Sequence, residues 1–181
     1  MTARIYVSAQ THYSAAKAAR LAGFPPRNIV SVPVLPATLQ IDVAALEAQI
    51  EADLDAKLVP HMVVGTAGTT NTGAFDDLVA LRVLADKHGL WLHVDGAWGA
   101  PFAATARCRE RTAGIGAADS LNVDFHKALH LPYAAGALFV RSGAALVEAH
   151  SGNAEYMPDR DDFRDAAQLS PDLSRPDRAM A

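Results

Sequence analysis

Strand-like and helix-like segments alternate along most of this chain, and this alternation constrains the fold more than any other feature. Segments rich in β-branched, leucine and aromatic residues predict strands at residues 5–8, 29–34, 62–66, 90–94, 120–123 and 137–141. Helical periodicity and capping residues predict helices at residues 14–22, 42–56 and 77–88. Such alternation is typical of an α/β fold, in which helices flank a mainly parallel sheet.

The composition excludes several classes of partner. The net charge is −4 and there is no run of basic residues, which argues against nucleic-acid and membrane-surface partners and favours small molecules. The single cysteine, Cys108, excludes an internal disulfide and a cysteine-based metal site. No apolar run is long enough to span a bilayer, and Met1 leads into a charged strand rather than a signal peptide. The chain is therefore predicted to be cytoplasmic.

A lysine follows the predicted strand at residues 120–123, in the sequence Asp124-Phe125-His126-Lys127. Ligands of open α/β sheets bind at the carboxyl ends of the strands. A lysine placed there can act as a nucleophile towards an aldehyde cofactor. The alternative for Lys127, taken alone, is a solvated surface charge.

The predicted strand at residues 90–94 also ends in a charged residue, Asp95. A pyridoxal ring needs a carboxylate against its pyridine nitrogen, because the protonated ring accepts the electron pair released at the substrate's α-carbon. Asp95 would anchor that ring and Lys127 would carry its aldehyde. The alternative is that Asp95, which precedes Gly96, is a turn or N-cap residue.

A loop crowded with glycine and threonine follows the predicted strand at residues 62–66. Its small residues would let backbone and hydroxyl groups approach a ligand closely. Residues 65–77 lack the lysine of a Walker A motif and the glycine spacing of a dinucleotide-binding fold, so nucleotide binding is disfavoured.

In this order, the three segments resemble the group II pyridoxal-phosphate-dependent decarboxylases, which include aromatic-amino-acid, glutamate, histidine and 2,4-diaminobutyrate decarboxylases. The similarity covers most of the chain, at residues 8–12, 65–77, 93–97, 124–127 and 136–141. It implies the fold type I (aspartate aminotransferase-like) large domain, with pyridoxal 5'-phosphate as cofactor. It also implies decarboxylation of an L-amino acid to an amine and carbon dioxide, in a homodimer whose active sites lie between subunits.

The resemblance assigns roles to individual residues. Lys127 would hold the cofactor as a Schiff base, and Asp95 would pair with the pyridine nitrogen. Ala97 would lie against one face of the ring and His12 against the other. The position of His12 before a predicted helix also fits a capping residue.

Four further residues are implied near the cofactor. Thr69 would belong to the loop close to the ring, His126 would lie near the phosphate, and Asp124 would help to position that neighbourhood. Tyr156 would protonate the substrate's α-carbon from a mobile loop that reaches the partner's active site; the alternative is an exposed loop tyrosine without a role. We therefore expect Lys127, His12 and Tyr156 to be the catalytic residues.

The resemblance also divides the chain. Residues 1–151 would be part of the cofactor-binding large domain. Residues 152–181, which are polar and rich in proline, would form the mobile loop and the start of a connection to a small C-terminal domain. Because family members are several hundred residues long, we expect this chain to be a piece without the phosphate-cradling segment that would precede residue 1.

Two departures from the family pattern leave the subfamily, and with it the substrate, open. Phe125 stands where a small residue or proline is more familiar, and Ala128 where an aromatic residue is common. Another fold type I pyridoxal enzyme, such as an aminotransferase, desulfurase or aldolase, is one alternative, and a truncated homologue without catalysis is the other. His126 and His130 are spaced like zinc ligands on a helix, but Lys127 stands where the metalloprotease pattern needs glutamate, so no metal site is predicted.

Overall fold

Six strands form one sheet in the computed structural model, which describes residues 2–150. The strands are β1 (Ala3–Ser8), β2 (Ile29–Val32), β3 (Val59–Thr66), β4 (Trp91–Asp95), β5 (Ser120–Asp124) and β6 (Gly136–Val140). Their order across the sheet is β2-β1-β3-β4-β5-β6. The pairs β1 with β2, β1 with β3, β3 with β4 and β4 with β5 are parallel. The predicted α/β fold with a mainly parallel sheet is therefore confirmed.

The described residues also form helices α1 (Tyr13–Leu21), α2 (Val43–Asp55), α3 (Leu78–His88), α4 (Phe125–Ala128) and α5 (Gly143–His150). The first three are the predicted helices. Asp42 caps α2 as predicted, and Asp77 caps α3 in the same way, each accepting a hydrogen bond from a backbone N–H of the first turn. The sequence does not predict α4 and α5, because their 4 and 8 residues are too few for a helical period to be recognised.

Strand β2 is shorter than the sequence predicts. It ends at Val32 rather than at residue 34, because Pro33 has no N–H to donate to the sheet. Val34 instead forms an isolated antiparallel bridge with Ile41.

The sheet is covered on both faces. Along β1, Tyr6 belongs to a core cluster that contains Leu46 of α2 together with residues of α3. Its neighbours Ile5 and Val7 pack instead with Ala19 of α1. Because successive side chains of a strand point to opposite faces, α2 and α3 cover one face and α1 covers the other. Burial on both faces explains why these strands are apolar nearly throughout.

The chain divides into two units, Met1–Phe139 and Val140–Ala181. The first contains β1–β5 and α1–α4, and the described part of the second, residues 140–150, contains α5. The predicted mobile loop and connection at residues 152–181, and with them Tyr156, lie outside the described residues, so that division of the chain stays a prediction. No helix among residues 2–150 combines the length and the apolar character needed to cross a bilayer.

A buried aspartate holds the loop that follows β3. Asp76 is 3% exposed. Its Oδ1 accepts a hydrogen bond from the N–H of Ile41 and its Oδ2 from the N–H of Thr66, both at 2.7 Å. Burial raises the pKa of Asp76, while the two backbone N–H groups oppose this rise by stabilising the ionised form. The side chain therefore ties the end of β3 to the segment that precedes α2.

Replacing Asp76 with asparagine is expected to lower the free energy of unfolding by about 1–3 kcal/mol, the cost of leaving one buried donor unsatisfied. An amide has a single acceptor oxygen, so its NH2 group would face one of the two backbone N–H groups. Asp77→Asn is the matched control, because Asp77 is the exposed N-cap of α3 and asparagine caps helices as well as aspartate does. Urea unfolding measures both variants, and equal stabilities would contradict the role of Asp76.

Candidate functional site

A cavity of about 330 Å³ opens at the carboxyl edge of the sheet, where open parallel sheets bind ligands. Its walls come from the ends of strands β3, β4 and β5 and from the segments beyond β1, β3, β4 and β5. They are formed by His12, Ser14, Thr66, Gly68, Thr70, Asp95, Ala97, Trp98, Asn122, Asp124 and Lys127. A larger cavity of about 520 Å³ lies beside the start of α3, but none of the predicted site residues between positions 2 and 150 lines it.

Asp95 reaches the cavity from the end of β4 with one carboxylate oxygen already held. Its Oδ1 accepts hydrogen bonds from the backbone N–H of Ala97, at 3.1 Å, and from Nδ2 of Asn122, at 3.2 Å. Within residues 2–150, no hydrogen bond reaches Oδ2. The bond to Ala97 is the turn contact that the alternative interpretation of Asp95 predicts. Asp95 therefore fixes the turn and lines the cavity at the same time.

Behind Asp95, polar side chains of β4 and β5 are hydrogen-bonded in series. Oδ1 of Asn122 lies 3.1 Å from Nε2 of His93, and Nδ1 of His93 lies 2.8 Å from Oγ of Ser120. The indole N–H of Trp91 donates to the same Oγ at 2.8 Å. Burial lowers the pKa of His93, against smaller opposite effects of the Asp95 charge and the Asn122 hydrogen bond, and so favours the neutral ring.

Lys127 stands on α4 at the cavity, with 41% of its side chain exposed. Its Nζ lies 2.8 Å from Oδ2 of Asp124, and Nε2 of His126 lies 3.9 Å from the same oxygen. Nδ1 of His126 donates to the carbonyl of Ala135 at 2.8 Å, which fixes the ring. Asp124 therefore forms an ion pair with Lys127 at the cavity.

His12 caps a helix and also lines the cavity. It is the N-cap of α1, with Nδ1 accepting a hydrogen bond from the backbone N–H of Ser14 and lying 2.7 Å from the Ser14 hydroxyl. His12 also lines the cavity, and its ring packs against Tyr13 with the ring centroids 4.3 Å apart. Helix capping thus fixes an imidazole at the cavity.

The glycine and threonine loop places Thr70, rather than the predicted Thr69, in the cavity wall. Thr69 is 3% exposed, and its hydroxyl lies 2.6 Å from that of Thr72 inside the loop. Thr69 therefore shapes the loop. Gly68 has a φ of 86°, and a Cβ there would lie 2.6 Å from the ring of Trp98. The glycine is needed for this close packing as well as for the turn.

Several cavity residues are not among those predicted from the sequence. Thr66 and Asn122 stand level with Asp95 on the two neighbouring strands. The sequence contains a signal for Asn122, because Ser120, Asn122 and Asp124 alternate with apolar residues, as on a strand with one polar face. Trp98 carries no comparable signal, since it lies in the turn beyond β4.

Helix α4 ends at Ala128, so His126 and His130 do not share a helical face. Elsewhere in the described part of the chain, Glu47, Glu51 and His88 lie close enough together to be metal ligands. Nζ of Lys87 lies 2.5 Å from Oε1 of Glu47, so an ammonium group already offsets part of the negative charge of this cluster.

Comparison with known sequences identifies relatives of the chain. The sequence model described as the pyridoxal-dependent decarboxylase conserved domain matches residues 2–180. The aromatic-L-amino-acid decarboxylase of Bacillus atrophaeus is 37% identical, over 86% of this chain and 32% of its own length. The L-2,4-diaminobutyrate decarboxylase of Rhizobium meliloti is 35% identical, over 91% of this chain and 33% of its own length.

Solved structures share the fold. The crystal structure of Oryza sativa TDC with PLP and tryptamine superimposes with a TM-score of 0.82 at 34% identity, covering 88% of this chain and 33% of that one. This chain spans about a third of the length of the curated relatives it matches. The predicted fold type I architecture, of which the chain is a part, is confirmed. Because the family sequence matches nearly the whole chain and the fold agrees, the chain belongs to the pyridoxal-dependent decarboxylase family.

Proposed function

We propose that this chain contributes to an active site that uses pyridoxal 5'-phosphate to decarboxylate an L-amino acid to an amine and carbon dioxide. The observation that carries the proposal is the convergence of Lys127 and Asp95 on one cavity at the carboxyl edge of the sheet. An amine can bond the aldehyde of the cofactor, and a carboxylate can bind its pyridine nitrogen. Relatives named for decarboxylation of aromatic amino acids and of 2,4-diaminobutyrate support the class of reaction.

The residues of the cavity fit this cofactor. Besides Lys127, Asp95 and His12, the wall contains Thr66, which is 3% exposed. The Thr66 hydroxyl has no hydrogen-bond partner among residues 2–150. A buried hydroxyl without a partner costs about 1–3 kcal/mol, and a polar ligand group in the cavity would relieve that cost.

Lys127 would bond the aldehyde of the cofactor through Nζ. The ammonium must first lose its proton and leave its ion pair with Oδ2 of Asp124, 2.8 Å away. Asp124 is the last residue of β5 and Lys127 stands on the short helix α4, so the amine and its ion-pair partner are held together at the cavity. After the reaction, Lys127 would take back the cofactor and release the amine.

Asp95 would present an ionised carboxylate to the pyridine nitrogen and so keep that nitrogen protonated. When bound, pyridoxal phosphate supplies an aromatic ring that accepts the electron pair left when carbon dioxide departs. His12 would lie on one face of the ring and Ala97 on the other, which would hold the ring in a fixed orientation at the cavity.

The other predicted residues would complete the surroundings. His126 would lie near the phosphate, Asp124 would position His126 and Lys127, and Thr69 would act by shaping the loop that carries Thr70. Tyr156, outside the described residues, would return a proton to the α-carbon. The proposed catalytic residues are therefore Lys127, His12 and Tyr156.

We also propose that the complete protein is a cytoplasmic homodimer with active sites between its subunits. The family resemblance supports a dimer. The 41% exposure of the Lys127 side chain is consistent with a partner subunit that covers the cavity.

Pyridoxal 5'-phosphate is expected to give the purified chain a visible absorption band that borohydride fixes covalently at Lys127, as mapped by peptide analysis. Lys127→Ala should abolish the labelled peptide. Lys17→Ala should leave it unchanged, because it removes an exposed amine from α1. Labelling that spreads evenly over several lysines would contradict the assignment of Lys127.

Release of carbon dioxide tests the reaction itself. The complete protein, loaded with cofactor, is expected to release carbon dioxide from at least one amino acid in a panel of aromatic, acidic and diamino substrates, and its Lys127→Ala variant from none. Labelling at Lys127 of the complete protein without any release of carbon dioxide would contradict decarboxylation and favour the homologue without catalysis.

Asp95→Asn is expected to weaken the binding of pyridoxal 5'-phosphate about ten- to a hundredfold, because it removes a charge-assisted hydrogen bond worth about 1.5–3 kcal/mol. Asp55→Asn is the control, since it removes the same charge from an exposed residue at the end of α2, before β3 begins. Absorbance titration measures both dissociation constants. Equal values for the two variants would rule out the pairing of Asp95 with the pyridine nitrogen.

A further inference from the structure

The side chains behind Asp95 have one arrangement of protons that satisfies them all. An ionised carboxylate only accepts hydrogen bonds, so Asn122 must turn its NH2 group towards Oδ1 of Asp95, 3.2 Å away. The amide oxygen of Asn122 then faces Nε2 of His93 at 3.1 Å. Because an amide oxygen only accepts, Nε2 of His93 must carry the proton.

The other side of His93 completes the series. A neutral ring with its proton on Nε2 accepts at Nδ1, and the hydroxyl of Ser120, 2.8 Å away, donates to it. Oγ of Ser120 accepts the indole N–H of Trp91, also at 2.8 Å. Each contact in the series from Trp91 to Asp95 then joins one donor to one acceptor. The lowered pKa of His93, caused by burial, is consistent with a neutral ring.

Other arrangements leave a polar group without a partner. If the Asn122 amide were reversed, its oxygen would face the Asp95 carboxylate, and two acceptors would meet without a proton between them. If the proton of His93 were on Nδ1, Nε2 would be an acceptor facing the amide oxygen of Asn122. Either change, the reversed amide or the proton on Nδ1, removes a hydrogen bond from a partly buried site.

We propose that His93 and Asn122 are positioning residues for Asp95, which hold Oδ1 and leave Oδ2 to meet the pyridine nitrogen of the cofactor. The inference rests on the proposed function, because it assigns Asp95 the pyridine nitrogen as ligand. Neutral donors suit this task, since they fix the direction of the carboxylate without supplying a positive charge. A lysine or arginine in the place of Asn122 would neutralise the carboxylate instead.

The first experiment needs no cofactor. In the full chain labelled with ¹⁵N-histidine, nuclear magnetic resonance at pH 7 should show His93 as the neutral tautomer with its proton on Nε2, and His93→Gln assigns the signal by its loss. A proton on Nδ1, or a doubly protonated ring, would overturn the proposal.

The second experiment measures the binding of pyridoxal 5'-phosphate to variants. Asn122→Asp keeps the shape but replaces the donor to Asp95 with a carboxylate oxygen, and His93→Phe removes both ring nitrogens. Both should weaken binding about tenfold or more. His93→Gln keeps a donor towards Asn122 and should restore most of the affinity. His61→Phe, which changes an exposed histidine of β3 outside the cavity, should leave affinity unchanged.

A spectroscopic signature separates positioning from a general loss of structure. With ¹⁵N-labelled cofactor, the protonated fraction of the pyridine nitrogen should fall in Asn122→Asp and His93→Phe and should recover in His93→Gln. If the variants are less stable to unfolding but the pyridine nitrogen is still fully protonated, the positioning role is overturned.

The two proposals fail in different ways. A wild-type chain that binds no cofactor would overturn the proposed function, while the histidine signal would still decide the arrangement of protons. A wild-type chain that binds the cofactor at Lys127 but shows His93 protonated on Nδ1 would overturn the role of His93 and Asn122 and leave the proposed function intact.

Discussion

The parallel register of β3, β4 and β5 is the constraint on which the cavity depends. It sets Thr66, Asp95 and Asn122 side by side, and residues level with one another on neighbouring strands point to the same face of a sheet. One pleat earlier, His93 stands level with Ser120. A slip of one residue would turn a whole strand's polar side chains to the opposite face. The sheet itself, rather than any loop, therefore assembles the row that contains Asp95.

Apolar packing on the other face makes that register costly to change. Leu92 and Val94 alternate with His93 and Asp95 along β4, and both are fully buried in the core beneath α2 and α3. Burial of each such side chain contributes about 1.5–3 kcal/mol. On the polar face, removing the side chains from water costs free energy, and the hydrogen bonds between them offset that cost. The apolar face of β4 thus fixes the register that places His93 and Asp95 on the polar face.

Local patterns predict the fold better than the site. Periodicity and caps such as Asp42 predict the strands and helices, and the strand-end positions of Lys127 and Asp95 are visible in the sequence. The partners of Asp95 are not, because they depend on which strand lies beside β4 and at what register. The hydrogen bonds of both ring nitrogens of His93 depend on the same register, because their partners Ser120 and Asn122 lie on β5. Hydrogen bonds within the loop likewise decide that Thr70, not Thr69, lines the cavity.

The two carboxylates of the cavity are held in different ways, and the difference has a chemical consequence. Asp124 has a cation 2.8 Å away, the ammonium of Lys127. Asp95 is held by neutral donors among residues 2–150, the N–H of Ala97 and the amide of Asn122. Its negative charge is therefore directed but not neutralised, and an uncompensated charge in a partly buried site is costly. A ligand that brings a positive charge to Asp95 removes this cost, and a protonated pyridine nitrogen is such a ligand.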